Sequence, residues 1–257
     1  MRTAKQVFGL KRGLAVLRAL NNHNDATVLE ISRATALPRP TVYRLLATLQ
    51  EEGYVDRGPN GNTFRLTIAV RGLAWGYDDE AWVGEIAAPV LQDLLRQVVW
   101  PSDIATYERG AMLIRETTNT TSPLAMLPER AGHRPPVLTS SLGRAYLSFS
   151  DKRERESILA VLSARGHRER LHARDRAAVD RMVQATRARG YAIREGGRAP
   201  GTTSIAVPVM NNGEVLAAIN IICVASAISL EEIVGRYLEP MRQAARQIER
   251  ALGNSGA

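Results

Sequence analysis

The chain has 257 residues, 45% of them hydrophobic and 23% charged, with 34 Lys+Arg against 26 Asp+Glu for a net charge of +8. That length accommodates two domains with cores of their own. Cys223 is the single cysteine, which excludes an internal disulfide framework and a multi-cysteine zinc site, and no apolar run reaches the length of a membrane span.

Near the start, Leu10, Leu14, Leu17 and Leu20 stripe an amphipathic helix expected to close a small core. Thr27 and Glu30 then have the spacing of a capping box, in which each side chain satisfies an orphan amide at a helix start. Leu29, Ile31 and Ala34 are expected to face the core while Arg33 stays outside. Pro38 and Pro40 stop that helix, because proline disfavours helical geometry in the residue before it. Pro40 also suits the first turn of the next helix, where a missing N–H costs nothing. There Val42, Leu45, Leu46 and Leu49 form one apolar stripe. Arg39, Pro40, Thr41, Tyr43, Arg44 and Thr48 remain for the other side, and Arg, Thr and Tyr are residue types that bond phosphates or base edges in a major groove. Two short helices about a tight turn, the second carrying these groups outward, predict a helix-turn-helix DNA reader; the alternative is a plain helical hairpin with a solvated face.

The next segment favours DNA reading. Tyr54–Arg57, the Gly58–Asn62 segment and Thr63–Leu66 read as strand, turn and strand, with Asn60-Gly61 as the hairpin signal. Arg57 and Arg65 are placed where such a wing reaches the sugar-phosphate backbone. Residues 1–78 hold 11 Lys+Arg and 6 Asp+Glu, so +5 of the excess charge lies in under a third of the chain, as a phosphate-facing part requires. A winged helix-turn-helix over residues 1–66 and a linker helix over residues 67–80, striped by Ile68, Val70, Leu73 and Ala74, are expected.

The rest, residues 81–257, mixes helix and strand patterns. Trp82–Val99 reads as an amphipathic helix interrupted at Pro89, and Asp103–Tyr107 and Met112–Glu116 as strands paired about Arg109-Gly110. A short helix is expected to begin at Thr139 or Ser140 and run to Phe149. Charged helices come next over Asp151–Ala164 and Asp175–Arg189, the second stopped by Gly190. Ser204–Met210 and Glu214–Cys223 flank Asn211-Asn212-Gly213 as a hairpin. Leu230–Leu252 forms a last helix, and together these predict an α+β sensor domain.

Signs of chemistry are scarce. His23, His133, His167 and His172 are scattered, and neither metal-ligand spacing nor a nucleophile elbow is present. Cys223 ends an apolar run and reads as a small buried hydrophobe. The Gly196–Gly201 segment lacks both glycine-rich phosphate-loop patterns. No enzyme activity, metal or cofactor is expected. The absence of an apolar leader points to a soluble, cytoplasmic protein.

The layout resembles the IclR-type transcriptional regulators of bacteria over nearly the whole chain. The resemblance rests on Pro40-Thr-Val-Tyr-Arg-Leu-Leu-Ala-Thr-Leu-Gln-Glu-Glu-Gly-Tyr54, Ser140-Ser-Leu-Gly-Arg-Ala145, Gly190-Tyr-Ala192 and Ser204-Ile-Ala-Val-Pro208, in that order. Val99-Trp-Pro-Ser-Asp103 and Arg115-Glu-Thr-Thr118 look most like the branch that regulates 3-(3-hydroxyphenyl)propionate breakdown. The family implies an N-terminal winged helix, a linker helix, and an effector-binding and oligomerisation domain of the GAF/PAS type over residues 81–257. It also implies a homodimer or dimer of dimers on a double-stranded DNA operator. The chain departs from the family in three places: Arg194 follows the Gly-Tyr-Ala element where an acidic residue is common, Ser204 occupies a cysteine-bearing strand position, and Asn220 and Ile222 replace paired serines.

On that resemblance, Ser141 and Leu142 begin the pocket helix, and their free amides and the helix dipole favour an anion. Asn220 is an amide in the apolar strand segment Ala217–Ile222 and must bond something, either backbone, water or ligand. Met126, Ile205 and Ile222 are expected as apolar walls, Arg194 and Ser204 as further contacts, and Pro123–Leu127 as part of a lid. The expected effector is a small carboxylate, an aromatic acid such as a hydroxyphenylpropionate, controlling a catabolic operon. Two other classes stand beside this: an enzyme acting on an aromatic acid with an appended DNA domain, and a non-specific nucleic-acid-binding protein.

Overall fold

The computed structural model describes residues 7–73, 81–125, 130–195 and 201–255, and the chain divides into two units, Met1–Asp78 and Asp79–Ala257. The first unit runs α1 (Phe8–Asn22), β1 (Ala26–Thr27), α2 (Val28–Thr35), α3 (Arg39–Glu51), β2 (Val55–Arg57), β3 (Thr63–Leu66) and α4 (Ala69–Gly72). The capping box is formed: Glu30 N–H donates to Thr27 Oγ1 at 3.3 Å and Thr27 N–H donates to the Glu30 carboxylate at 2.7 Å. Those hydrogen bonds from Thr27 hold the Glu30 carboxyl below its ordinary range. Ala36 takes a left-handed conformation (φ 54°) after α2, and Ser32 Oγ donates to the Leu37 carbonyl at 2.6 Å, pinning the turn into α3.

Val16, Leu20, Val28, Ile31, Val42, Leu46, Val55 and Phe64 are the buried centre of this unit, with Leu17, Leu45 and Leu49 at its margin. Two expectations are corrected. Leu10 and Leu14 are 64% and 45% exposed, because only the C-terminal half of α1, through Val16, Leu20 and the partly buried Leu17, packs on the core. In α2 it is Val28 and Ile31 that face inward, while Leu29 and Ala34 lie outside. In the wing, β2 and β3 pair antiparallel and β1 adds to the outer edge of β3. Of Asn60-Gly61 only Gly61 has positive φ (70°), as the connecting loop is longer than a two-residue turn. Within the expected linker helix, Ala69–Gly72 is helical, and residues 74–80 lie outside the described residues.

The second unit is built on an antiparallel sheet in the order β5-β4-β8-β7-β6. Its strands are β4 (Ser102–Glu108), β5 (Ala111–Thr117), β6 (Ala192–Glu195), β7 (Thr202–Asn211) and β8 (Glu214–Val224). Arg109 and Gly110 (φ 46° and 81°) turn β4 into β5, and Asn212 and Gly213 (φ 50° and 86°) turn β7 into β8. One face packs on α5 (Ala88–Val98) and α10 (Leu230–Ser255) through Leu91, Leu94, Ile104, Ile205, Ile219, Ile221 and Met241. A π-helical stretch, Val83–Ala87, precedes α5 immediately before Pro89. The opposite face carries α6 (Ser141–Phe149), with α7 (Lys152–Ser163), α8 (Arg170–Arg174) and α9 (Arg176–Arg189) around it.

Small residues let α6 lie close to that face: Ala105, Ala192, Ala206 and Ala218 are all buried there. Gly143 completes the fit, since a Cβ at this position would stand 2.3 Å from Val137 Cα and carbonyl O. β6 and α8 are elements that the residue pattern did not announce. Among the described residues no helix is long and apolar enough to cross a membrane.

Candidate nucleic-acid interface and ligand site

Helical geometry sets Pro40, Arg44 and Thr48 one above another on the outward side of α3, with Arg39 and Tyr43 on the adjoining row. All five are exposed, Tyr43 by 55%, and Thr41 is half-buried beside them. The guanidinium groups of Arg39, Arg44 and Arg65 make no hydrogen bond or ion pair to other described residues, so each is available to a phosphate or a base. Thr48 differs from that expectation in one respect: its Oγ1 donates to the Arg44 carbonyl at 3.2 Å, leaving the hydroxyl oxygen as an acceptor.

The wing splits its two arginines. Arg57 is opposite Phe64 and Arg65 opposite Asp56 in the ladder, so the two side chains leave opposite faces of the hairpin. Arg57 also braces the loop, donating through Nη1 to the Gly61 carbonyl at 2.8 Å and lying 5.1 Å above the Phe64 ring.

In the second unit, strand alternation decides which residues meet. Ser204 and Ala206 face α6, whereas Ile205 faces α5 and α10. Ile205 is therefore not a wall of the α6-side site, because neighbours on a strand point to opposite faces. Ser141, Ser204 and Arg194 do come together. Arg194 Nε donates to Ser204 Oγ at 3.1 Å, Ser204 Oγ and Ser141 Oγ lie 2.9 Å apart, and Arg194 Nη2 donates to Thr202 Oγ1 at 2.9 Å. Ser141 and Ser204 are each 1% exposed. The two hydroxyls share one bond, so one O–H is left without an acceptor among the described residues whichever serine donates.

That spare O–H, on Ser141 or on Ser204 opposite it, lies at the first turn of α6. Ser140 Oγ caps Gly143 N–H at 3.0 Å and the Ser140 carbonyl accepts Arg144 N–H at 3.0 Å, while Ser141 and Leu142 N–H have no acceptor among the described residues. Amides and hydroxyl thus converge on one place as donors, beside an Arg194 guanidinium that is itself engaged with Ser204 and Thr202, an arrangement suited to an anion. Met126 lies outside the described residues, as does part of the Pro123–Leu127 segment. Ile222 is half-buried beside Thr202, Pro101 and Leu124.

Asn220 is 4% exposed and faces the same side, its Oδ1 accepting Asp103 N–H at 2.9 Å. The backbone is therefore one of its partners, and only the oxygen half of the amide is so engaged. Residue patterns missed four further groups here. Asp103 is 1% exposed on β4 and its Oδ1 accepts from Thr117 Oγ1 at 2.6 Å. Glu169, 3% exposed, accepts Val137 N–H at 2.7 Å and Leu138 N–H at 2.8 Å, fixing the approach to α6. His167 orients it, with Nδ1 accepting Glu169 N–H at 3.1 Å and Nε2 donating to the Gly110 carbonyl at 3.1 Å. Arg144 donates to the Leu138 and Ile193 carbonyls at 2.8 and 2.7 Å, tying α6 to β6. Cys223 is packed in the α5/α10 core, where burial pushes its thiol up to about 12.

Residues 77–250 match the bacterial transcriptional regulator IclR C-terminal family, and residues 9–59 match the IclR helix-turn-helix domain. The Pca regulon regulatory protein of Pseudomonas putida is 30% identical over 243 residues, covering 93% of this chain and 82% of that protein. An IclR family transcriptional regulator of Brucella abortus has 25% identity and a TM-score of 0.56 over 96% of this chain and 93% of that one. An IclR homologue of Microbacterium hydrocarbonoxydans, solved with 4-hydroxybenzoate, has 25% identity and a TM-score of 0.56 over 96% and 99%. These relatives are regulators rather than enzymes, and the chain belongs to the IclR family of DNA-binding transcriptional regulators.

Proposed function

We propose that this regulator senses a small aromatic carboxylate, with hydroxyphenylpropionates among the candidates, and controls an operon for its breakdown in the cytoplasm. The observation that carries the proposal is the convergence of donors at the start of α6, the spare serine O–H and two free amides, beside the positive charge of Arg194. The Microbacterium homologue holding 4-hydroxybenzoate supports the ligand class. On the DNA side, Arg44, Thr41, Tyr43 and Thr48 read the groove from α3, and Arg39, Arg57 and Arg65 hold the backbone, with Pro40 setting the helix start. Two copies read two half-sites, and the exposed apolar face of α1, with Val7, Phe8, Leu10 and Leu14, is a surface for the second copy.

A ligand alters DNA affinity only by binding one arrangement of the dimer better than another. Titration calorimetry of the full chain with benzoate, phenylacetate and 3-phenylpropionate, and with their hydroxylated forms, tests the site. Binding of at least one acid is expected, weakened about tenfold or more by Arg194→Ala. A folded protein that binds none of them would falsify the carboxylate assignment.

A further inference from the structure

A second cavity is bounded by the segment before α6 and by α6, α8 and α9, and neither Ser141 nor Ser204 lines it. Its volume is about 390 Å³, within the range of small-ligand pockets. Its apolar part is aliphatic: Leu138 and Val179 are buried, Met182 is half-buried, and Leu171, 77% exposed, borders it on the solvent side.

Two charged side chains of opposite sign also line this cavity, and neither has a charged partner among the described residues. Arg144 is half-buried, with Nε and Nη1 bonded to the Leu138 and Ile193 carbonyls, and its Nη2 has no acceptor among the described residues. Burial first, and the charge of Arg189 second, hold its ionisation below the ordinary arginine range. The carboxylate that opposes those effects, Glu169, already has each oxygen bonded to a backbone amide. Asp175 caps α9 with Oδ1, which accepts Ala178 N–H at 3.0 Å, and its exposed carboxylate takes no other donor among the described residues.

Arg144 and Asp175 stand too far apart to pair directly, yet they border one space. A sphere of the cavity's volume is roughly 9 Å across. A carboxylate and an ammonium on a single carbon, with a hydrogen bond of about 2.8 Å at each end, reach roughly 8 Å. A simple acid would compensate Arg144 and oppose Asp175, and a simple amine would do the reverse. We propose that this cavity is a second ligand site, for a zwitterionic α-amino acid with an aliphatic side chain. Its carboxylate pairs with Arg144, its ammonium with Asp175, and its side chain lies against Leu138, Val179 and Met182. The site is independent of the acid proposed at the start of α6.

Calorimetry of the full chain with leucine tests the site, with glycine as the amino acid that lacks the side chain. Displacement of leucine by 4-methylpentanoate, which lacks the ammonium, and by 3-methylbutylamine, which lacks the carboxylate, reports this cavity alone. The amine is expected to bind about tenfold more weakly than leucine or worse, because Arg144 is half-buried. The acid should lose less, about fivefold, because Asp175 is exposed. Asp175→Asn keeps a capping side chain and removes the charge, so it should bring leucine and 4-methylpentanoate to nearly equal affinity. Ala178→Leu fills the cavity beside Val179 and should abolish leucine binding. The wild-type comparison stands even if a variant fails to fold. A 4-methylpentanoate affinity equal to that of leucine in the wild type, or glycine binding as tightly as leucine, overturns the assignment of ligand class. Leucine affinity unaltered by both substitutions overturns the location, and no leucine binding by the folded chain overturns the site.

Discussion

The candidate DNA contacts of the first unit lie on one exposed helix and one hairpin, whereas the candidate effector contacts of the second unit are buried or half-buried and drawn from α6, β6, β7 and β8. Arg39, Arg44 and Arg65 extend into solvent. Asp103 and Asn220, by contrast, are joined by a hydrogen bond across 117 positions of chain and are almost fully covered. The two arrangements carry different energetic liabilities. An exposed arginine can be removed at little cost to folding, while a buried polar group left unpaired costs about 1–3 kcal/mol. Contact and stability are thus separable in the first unit and entangled in the second.

The largest expected effect presses on that entanglement. Gly143→Ala drives a methyl into the Val137 backbone, a contact of 2.3 Å. Val137 cannot easily yield, because Glu169 holds both its amide and that of Leu138. A loss of about 3 kcal/mol is expected, with α6 displaced and ligand binding lost as well. Urea denaturation should show the second unit unfolding earlier and the first unit's transition in place. A change under about 0.5 kcal/mol would mean that α6 does not need its close approach to the 137–138 segment.

Separability in the first unit is tested next. Arg44→Ala should weaken operator binding by about 1–3 kcal/mol and shift stability by less than about 0.5 kcal/mol. Arg57→Ala should lower both, because Arg57 also supports the wing through Gly61 and Phe64. Gel-shift titrations paired with denaturation curves check the difference. Equal stability losses in the two variants would remove the distinction between a contact and a brace.

Local signals explain why the first unit was legible. The capping box, the proline-bounded turn and the apolar stripe of α3 each act within a few residues, and each is present as expected. The failures there were of extent: a stripe from Leu10 to Leu20 has helical spacing, and spacing does not say how far a core reaches. In the second unit the hairpin turns and helix caps were legible for the same local reason. The pairing of Ser141 with Ser204, 63 positions apart, was accessible only through family resemblance, and Glu169 not at all, since nothing near it marks a buried carboxylate. Ile205 was misplaced although strand alternation beside Ser204 could have corrected it.

A smaller effect checks the local signals. Thr27→Ala removes the acceptor of Glu30 N–H and half of the reciprocal cap. About 1 kcal/mol should be lost from the first unit, with Arg44-dependent DNA recognition preserved once the protein is folded. Thermal melts of the two proteins decide it; a melting temperature unchanged by the substitution would show that the cap is redundant with the strand pairing of Thr27 to Thr63.

The smallest effect concerns strain, which each unit stores in one non-glycine residue beside a helix end. Ala36 after α2 has φ 54° and ψ 25°, ordinary left-handed geometry. Val99 after α5 has φ 64° and ψ −31°, outside that well, and its branched side chain is 43% exposed, so little packing offsets the strain. Glycine accepts both conformations but loosens the unfolded chain, so the gains are partial. Val99→Gly is expected to stabilise the second unit by about 1 kcal/mol and Ala36→Gly the first by about 0.5 kcal/mol. The ordering is the informative part, because it depends on the β-branch and on ψ rather than on burial. If Val99→Gly destabilises the protein in urea, the side chain's contacts outweigh the strain. The bend that leads into Trp100-Pro101 and the strand bearing Asp103 would then be held by packing rather than merely tolerated by it.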